Sequence, residues 1–353
     1  MIRRGAQLTV RLPRQARGVA DIMISRTGKT IMRHGPGGRS SSNGHTATVF
    51  GATGFLGRYL VAQLAKQGTT VVVPFRDDFS KRHLKVNGDL GQVVMMEFDL
   101  RNRKSVEDSV KHSDVVYNLI GRDWETKNWT FEQLHGQGTE RIAEACAKYN
   151  SSSGFLRTKA LAEKVARDIY PETTIVRPSV IYGLEDRFLN YLATAKTLLT
   201  GNHMQEIVYP TFVRDVARAL EHMMHDDSTA GQLYELHQKA PMTVAEITEK
   251  ISEITLKKPR HYNVPKVVLQ TASKVLDKAL WWNVLSADQV ERQFINEKLT
   301  PGAKGYSDLG IQEQQLDAQT MQWLKMYRSN TYYDLPVNPN DGKVKPGVIH
   351  VTD

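Results

Sequence analysis

The sequence has one cysteine and no long apolar run, and both absences narrow the classes of protein it can belong to. Cys146 is the only cysteine among 353 residues, so an intrachain disulfide is impossible and a disulfide-stabilised secreted domain is disfavoured. No stretch approaches the roughly 20 apolar residues of a membrane-spanning helix, and no apolar core of a secretory signal is present. The 11 histidines are scattered, and we expect no metal site.

Acidic residues are missing from the start of the chain. The first twenty residues hold five arginines and no acid, interleaved with apolar side chains. An arginine-rich, acid-free amphipathic start is typical of a mitochondrial transit peptide, and a disordered basic tail is the alternative. Residues 1–20 are therefore predicted to be a transit peptide, with removal near residues 17–20.

Positive charge is concentrated at the same end. Residues 1–46 contain nine Lys and Arg residues and one acid, Asp21, so the remaining chain is almost neutral although the overall charge is +9. Nucleic acid binding needs cations clustered on the folded body, and we therefore exclude it. Residues 21–46 are rich in glycine and serine and cannot bury a core. They are predicted to form an extended arm, either a flexible linker or a segment that becomes ordered against a larger partner.

The strongest functional signal lies in residues 47–60. β-forming residues 48–50 precede three glycines spaced three apart, and a helix with leucines at every fourth position follows. The glycines are Gly51, Gly54 and Gly57. Such glycines allow a tight turn, a close approach to a pyrophosphate and hard packing of helix on strand, while the helix N-terminus attracts the anion. Residues 70–75 read as a second strand that closes a βαβ unit, the context that a nucleotide site requires.

This pattern predicts an α/β fold. We expect a Rossmann-type, doubly wound parallel sheet over residues 47–240, followed by a smaller, mostly helical region over residues 241–353. Three helix starts are also predicted. One lies near Ser105, with Ser105 and Asp108 in near capping-box spacing; Asp215 is expected to cap a second helix, and Thr243 with Glu246 forms a capping box at a third. Cys146 shares an apolar helix face and is interpreted as a core residue, not a nucleophile.

The second strand ends in Arg76, where a dinucleotide fold presents its selector for the adenosine ribose. An arginine there can pair with the 2′-phosphate of NADP, whereas an acid would accept the 2′-hydroxyl of NAD. Arg76 favours NADP(H). Asp77 and Asp78 follow directly and are the evidence against that choice.

The Gly-x-x-Gly-x-x-Gly spacing resembles the short-chain dehydrogenase/reductase superfamily, in its extended or atypical branch. That superfamily carries a Tyr-x-x-x-Lys pair as its proton-transfer machinery, and this chain reads Phe155-x-x-x-Lys159. Phenylalanine cannot donate or accept a proton, and general acid-base help is worth roughly 10²- to 10⁴-fold in rate. The resemblance therefore implies a bound nucleotide, a retained lysine and impaired catalysis.

The same resemblance, together with the ends of the predicted parallel strands, gives the expected contact set for NADPH. Open parallel sheets bind ligands at the carboxyl ends of their strands. The predicted cofactor-binding residues are Gly51, Thr53, Gly54, Phe55, Leu56, Gly57, Arg76, Asp99, Leu100, Asn118, Leu119, Ile120, Gly121, Lys159, Pro178 and Ser179. No catalytic residue and no metal ligand is predicted.

One departure from the βαβ pattern occurs after Asn150. A parallel strand should follow the crossover helix there, yet the chain passes through Ser151, Ser152, Ser153 and Gly154 straight into another helical pattern. Either this strand is missing from the protein, or a stretch of about fifteen residues is missing from the chain, and the βαβ logic favours the second explanation.

Several phrases resemble a narrower family, the nucleotide-binding accessory subunits of mitochondrial respiratory complex I of the alpha-subcomplex subunit 9 type, in a fungal form. They are residues 38–41, 48–58, 88–92, 118–128 and 185–190. The resemblance implies an NADPH that is held without turnover, attachment to other subunits of the peripheral arm near the quinone site, and a role in assembly and stability. It places the protein at the matrix side of the mitochondrial inner membrane, with no span of its own and no free substrate.

Two other hypotheses remain open at this stage. The chain could be a free mitochondrial NADP-dependent reductase or epimerase, with another group or a water replacing the phenol. A third possibility is a redox sensor that distinguishes NADPH from NADP⁺. Turnover of the nucleotide by the purified protein would favour the reductase, and oxidation-dependent release from a partner would favour the sensor.

Overall fold

The structure is a computed structural model that describes residues 20–24, 30–35, 37–121, 129–130, 132–142, 158–279, 290, 294, 296–297 and 299–337. The chain divides into two compact units. The first comprises Met1–Arg177, Val213–Leu236 and Pro301–Ile311, and the second comprises Pro178–Phe212, His237–Thr300 and Gln312–Asp353.

The elements are numbered in chain order. The strands are β1 (Ala20–Ile24), β2 (Thr30–His34), β3 (Thr46–Phe50), β4 (Thr70–Phe75), β5 (Val93–Glu97), β6 (Val115–Asn118), β7 (Ile175–Pro178), β8 (Ile181–Tyr182), β9 (Thr197–Thr200), β10 (Ile207–Val208), β11 (Thr211–Phe212), β12 (Leu233–Leu236), β13 (Met242–Thr243) and β14 (Arg260–Asn263). The α-helices are α1 (Phe55–Lys66), α2 (Arg103–Val110), α3 (Thr158–Ile169), α4 (Phe188–Thr194), α5 (Val213–His225), α6 (Val244–Thr255) and α7 (Lys266–Ala279). A π-helical turn, Glu132–Gln137, continues as helix to residue 142.

The first unit is built on a parallel sheet in the order β5-β4-β3-β6. Its register pairs Val49 with Tyr117 across β3 and β6, and Val71 with Val93 across β4 and β5. Val49 and Val71 are fully buried, as continuous apolar strands covered on both faces should be. The predicted Rossmann-type sheet is confirmed, and the second predicted strand has the expected bounds, Thr70–Phe75.

Helix α1 packs its apolar stripe into the core of this unit. Leu60 and Leu64 are fully buried in one cluster with the sheet residues and with side chains of α5. The helix ends in a Schellman pattern, because the N–H groups of Gly68 and Thr69 donate to the carbonyls of Ala65 and Leu64 at 3.1 Å each. The strand, turn and helix predicted from the glycine spacing are therefore present as a unit.

Part of the predicted arm folds on itself. β1 and β2 form an antiparallel hairpin in which Ile22 faces Met32, and the arm continues to Asn43, whose N–H donates to the Gly68 carbonyl. Ile31 is buried. The hairpin is formed within residues 20–34, N-terminal to the glycine- and serine-rich stretch that led to the expectation of an extended arm.

The second unit combines helices with short two-stranded sheets. β8 pairs with β11, β9 with β14 and β10 with β13, and a separate apolar core includes residues of α4 and α6. The predicted capping box is confirmed: the Thr243 hydroxyl accepts from the Glu246 N–H, and the Glu246 carboxylate accepts from the Thr243 N–H.

Two helix starts differ from expectation. α2 begins at Arg103 rather than near Ser105, because the Asn102 side chain accepts from the Lys104 N–H and caps the helix. α5 follows β11 directly, so Asp215 lies in its first turn and not at the cap. The carboxylate is buried there, where the helix dipole favours a negative charge.

Candidate functional site

The glycine turn between β3 and α1 is the centre of the candidate site. Gly51 has a φ of +78°, and a Cβ at this position would lie 2.9 Å from the carbonyl carbon and oxygen of Leu119. The chain after β3 and the chain after β6 therefore approach each other more closely than a side chain allows. This is the switch point of the sheet, where open α/β folds bind their ligands.

Gly57 has no side chain, and this allows helix α1 to pack directly against the turn. A Cβ on Gly57 would lie 2.5 Å from the Gly51 carbonyl oxygen and 2.6 Å from Ala52 Cα, which are both backbone atoms. The N-terminus of α1 is capped by Gly54, which offers no side-chain acceptor, and no acidic residue lies in the first turn. The helix start therefore presents N–H groups and positive dipole with no anionic side chain of its own to meet them.

The other predicted residues of this turn differ in exposure. Thr53, Phe55 and Leu56 are half-buried. Leu56 packs against the core cluster, and the Phe55 ring meets Tyr59 edge to face at 5.8 Å. The packing of Leu56 and the ring contact of Phe55 thus fix the start of the helix.

Asn118 organises the loop at the end of β6. Its side chain is buried, its carbonyl oxygen accepts from the Ile120 N–H at 3.1 Å, and its amide donates to the Thr139 hydroxyl at 3.2 Å. Leu119 also donates to the Phe50 carbonyl at 2.9 Å. Leu119 and Ile120 are half-buried, and Gly121 is exposed. Through these hydrogen bonds, Asn118 therefore fixes the conformation of the loop that follows β6.

Arg76 stands at the exposed end of β4, and its two acidic neighbours are occupied by a local turn. The Ser80 hydroxyl and N–H both donate to the Asp77 carboxylate and lower its pKa. The Lys81 ammonium lies 2.6 Å from the Asp78 carboxylate, and this hydrogen bond and charge lower the pKa of Asp78. The two acids that argued against a 2′-phosphate are thus turned toward residues 80–81.

Asp99 and Leu100 follow β5 at the same edge of the sheet. Leu100 is buried in an apolar cluster, and its carbonyl accepts from Arg141 at 3.1 Å. Asp99 is exposed, and its carboxylate accepts from the Arg101 N–H at 2.9 Å. The structure therefore brings the ends of β3, β4, β5 and β6 to one edge with the predicted residues on them.

The remaining predicted residues belong to other segments of the chain, and their place at the nucleotide stays a prediction. Lys159 belongs to α3. Pro178 and Ser179 lie in the second unit, where the Ser179 hydroxyl donates to the Glu297 carboxylate. Phe155 and Cys146 lie outside the described residues, as do residues 122–128 and the boundary at Asn150.

Tyr117 is the phenol in the central sheet of the first unit, and it is not placed for proton transfer. Its hydroxyl donates to the Leu220 carbonyl at 2.9 Å, and burial raises its pKa. A phenol that is buried and committed to a backbone carbonyl cannot exchange protons with a ligand at the strand ends. Within the described ranges, no group of His, Cys, Asp and Glu could hold a metal ion.

Sequence reasoning missed the ion network around Arg177. Its guanidinium donates to both oxygens of Glu163, at 3.2 and 2.8 Å, and to Glu235 at 3.4 Å, and the hydrogen bond to Glu163 raises the pKa of Arg177. The network ties α3, β7 and β12 together. We therefore assign Arg177 a structural role.

Asp186 explains one of the phrases that carried the family resemblance. Its buried carboxylate accepts from the N–H groups of Gly183, Leu189 and Asn190 at 3.0, 2.9 and 3.1 Å. Asn190 in turn donates to the Leu184 and Asp186 carbonyls. Residues 185–190 are therefore distinctive because they close a loop onto the start of α4.

Comparison with known proteins gives one family profile and a set of close relatives. The profile of the NAD dependent epimerase/dehydratase family matches residues 47–201. The mitochondrial NADH-ubiquinone oxidoreductase 40 kDa subunit of Neurospora crassa is 54% identical over 91% of this chain and 90% of its own length. The mitochondrial NADH dehydrogenase [ubiquinone] 1 alpha subcomplex subunit 9 of Mus musculus is 34% identical over 85% of each chain. The higher identity to the fungal relative fits the expected fungal form.

Within the match, this chain is shorter than the aligned stretch of the Neurospora protein. It extends over 337 residues, whereas 91% of this 353-residue chain is about 321 residues, so about 16 positions of the match have no counterpart here. That number is close to the length expected for the absent strand and its connection. Its location after Asn150 stays a prediction.

The solved structures show the same fold at low identity. The triphenylmethane reductase of Citrobacter sp. superposes with a TM-score of 0.61 at 16% identity, over 80% of this chain and all of that chain. None of the described helices has the length and apolar character needed to cross a membrane. By its sequence relatives, this chain belongs to the family of the mitochondrial NADH:ubiquinone oxidoreductase 40 kDa and alpha-subcomplex subunit 9 proteins.

Proposed function

We propose that this protein is a non-catalytic accessory subunit of mitochondrial complex I that holds one NADPH as a permanent structural ligand. The observation that carries the proposal is the 54% identity to the Neurospora 40 kDa subunit along nearly the whole of both chains. Identity of that extent preserves surfaces as well as folds, and a subunit's surface is what attaches it to its complex.

The geometry of the glycine turn supports the nucleotide. The start of α1 has neither a capping side chain nor an acid in its first turn, and the close backbone contacts of Gly51 and Gly57 leave the turn open to a pyrophosphate. The matched family profile is itself described as NAD dependent. The backbone N–H groups of residues 52, 53 and 55–57 would hold the pyrophosphate, since the Gly54 N–H donates to the Gly51 carbonyl, and Asp99 and Leu100 would face the adenine.

The choice of NADPH over NADH is supported by Arg76. Asp77 accepts from Ser80 and Asp78 pairs with Lys81, so part of the acceptor capacity that could serve the 2′-hydroxyl of NAD is used within this local turn. Arg76 is exposed beside them. A guanidinium can form charge-assisted hydrogen bonds with a 2′-phosphate, whereas the neutral 2′-hydroxyl of NAD gains no attraction between opposite charges.

A structural role for the ligand follows from the residues around it. A reduced nicotinamide supplies a hydride, but Phe155 cannot supply the proton that should accompany it, and the Tyr117 phenol is bonded to Leu220. A ligand that binds only the folded state stabilises it by RT ln(1 + [L]/Kd), about 4 kcal/mol at a thousandfold excess over Kd. NADPH would therefore strengthen the fold of the first unit.

The family and the basic N-terminus support a location at the matrix side of the inner membrane. Residues 1–20 would be the mitochondrial transit peptide, and subunits of the peripheral arm would be the partners. The test is native electrophoresis of mitochondrial membranes with immunodetection of this chain. We expect co-migration with NADH dehydrogenase activity. Migration as a free protein that oxidises its nucleotide with a carbonyl substrate would instead support a reductase.

The nucleotide preference can be tested at Arg76. Arg76→Gln removes a charged donor worth about 1.5–3 kcal/mol, so we expect the affinity for NADPH to fall by roughly ten- to a hundredfold and the affinity for NADH to change little. Titration of the purified full chain with each nucleotide, followed by intrinsic fluorescence, measures both. Lys85→Gln, an exposed cation in the same loop, is the matched control. An equal loss for both nucleotides would mean that Arg76 does not read the 2′-position.

A further inference from the structure

The second unit contains a cleft of about 410 Å³, within the usual size range for small-ligand sites. It lies where α4 and α6 both end: residues 192–196 form one wall, and residues 251–252 and 257–260 form another. It belongs to neither the glycine turn nor the strand ends of the first unit, and nothing in the proposed function uses it.

Four cations line this cleft, and none of its described lining residues is acidic. The cations are Lys196, Lys257, Lys258 and Arg260. Lys257 donates to the Tyr327 carbonyl. Among the described residues, no acid forms an ion pair with the other three. Surface cations usually sit among acids of opposite sign, and an unbalanced set attracts anions.

The negative ends of the helix dipoles balance only part of this positive charge. The C-termini of α4 and α6 each carry roughly half a negative charge, which a neighbouring lysine can balance. Two half charges call for about one cation, whereas four line the cleft. The surplus of positive charge is what an anionic ligand would neutralise.

The backbone that carries these cations is fixed by local structure. The Arg260 N–H donates to the Lys196 carbonyl at 3.0 Å, where β14 runs parallel to β9. Leu256, the residue that ends α6, has a φ of +56°, a left-handed conformation that costs a leucine about 1 kcal/mol or more. That turn directs residues 257–260 across the helix ends. A backbone that is already ordered lowers the conformational cost of binding.

The floor of the cleft is apolar. Leu192, Ala193 and Ile251 line it and are buried. A cationic rim over an apolar floor suits a ligand with an anionic head and a short apolar portion. Free inorganic anions would contact only the cations at the rim.

We propose that this cleft binds a phosphomonoester or phosphodiester attached to a small apolar group. The head meets the cations of residues 257–260 and Lys196, and the apolar portion rests on Leu192 and Ile251. The same chemistry is available from a soluble phosphorylated metabolite and from the headgroup of an anionic phospholipid.

The test compares two probes on the purified full chain. One is n-butyl phosphate, a phosphomonoester with a short apolar chain, titrated by calorimetry, and the other is vesicles of neutral lipid with and without an anionic phospholipid, followed by flotation. The variant is K258E/R260E. The matched control is K104E/K111E, which makes the same charge change at two exposed lysines at or next to α2. Thermal unfolding of both variants checks that they fold.

We expect saturable binding that weakens at least tenfold in K258E/R260E and less than twofold in K104E/K111E, and that falls with added salt. Binding of n-butyl phosphate assigns the soluble source, and co-flotation with anionic vesicles only assigns the lipid. Failure of both probes, or equal loss in the two double variants, would overturn the proposal. Neither result bears on the nucleotide at the glycine turn, because that turn lies in the other unit and none of its residues lines this cleft.

Discussion

Gly57→Ala is expected to disrupt the nucleotide-binding turn and to destabilise the first unit by about 3 kcal/mol or more. The added Cβ would lie 2.5 Å from the Gly51 oxygen and 2.6 Å from Ala52 Cα. Overpacking in cores costs about 1–3 kcal/mol where side chains can adjust, but here both obstacles are backbone atoms of the turn itself. The free energy of unfolding in urea and the nucleotide content of the purified protein measure the effect.

Gly305→Ala is the matched control for that substitution. It lies in the same unit, its φ is not in the left-handed region, and a Cβ there would meet only the Glu235 carbonyl oxygen at 3.5 Å, an ordinary contact. We expect a change below about 0.5 kcal/mol. If Gly57→Ala were as mild as Gly305→Ala, helix α1 would not be packed on the turn as described.

Arg177→Met is expected to cost about 2–3 kcal/mol. The side chains of Glu163 and Glu235 are only 9% and 10% exposed, and the substitution leaves both carboxylates without their cation. Removing one partner of a buried pair costs about 3–5 kcal/mol, and we reduce that figure because Arg177 itself is 32% exposed. Urea unfolding of the full chain gives the value.

Two further variants separate lost charge pairing from lost packing. Replacing all three residues, in E163Q/R177M/E235Q, should recover part of the stability because no buried charge is then left unpaired. Arg103→Met breaks an exposed pair with Glu107, in which the arginine is 67% exposed, and should cost less than about 1 kcal/mol. A triple variant no more stable than Arg177→Met would show that packing, not charge, holds α3 to β7.

The parts of the fold that sequence predicts well are those fixed by local chemistry. The strand, glycine turn and helix from β3 to α1 appear as expected because the glycine spacing, the period of the leucines and the flanking β-formers all agree. The same holds for β4 and for the capping box at Thr243, where side chain and backbone meet within one turn. At the candidate site, Gly51 and Gly57 have the close contacts that their spacing predicts.

What depends on distant contacts could not be predicted. Arg177 and Glu235 are 58 residues apart, and no periodicity in the sequence pairs them. Residues 213–236 and 301–311 belong to the first unit although residues of the second unit precede each of them in the chain. This assignment also depends on contacts between distant residues, so local sequence does not predict it. The cap at Asn102 was not predicted because asparagine and serine are both good helix caps, and Asn102 and Ser105 lie within one turn of each other.

The central claim is that a dinucleotide stays bound at the glycine turn as a structural ligand. The most direct measurement is the nucleotide content of the affinity-purified full chain and its complex, after acid or base release, before and after incubation with carbonyl substrates. The account predicts one NADPH per chain, unchanged by the incubation. Absence of nucleotide from the intact complex, or its oxidation in step with substrate reduction, would contradict it.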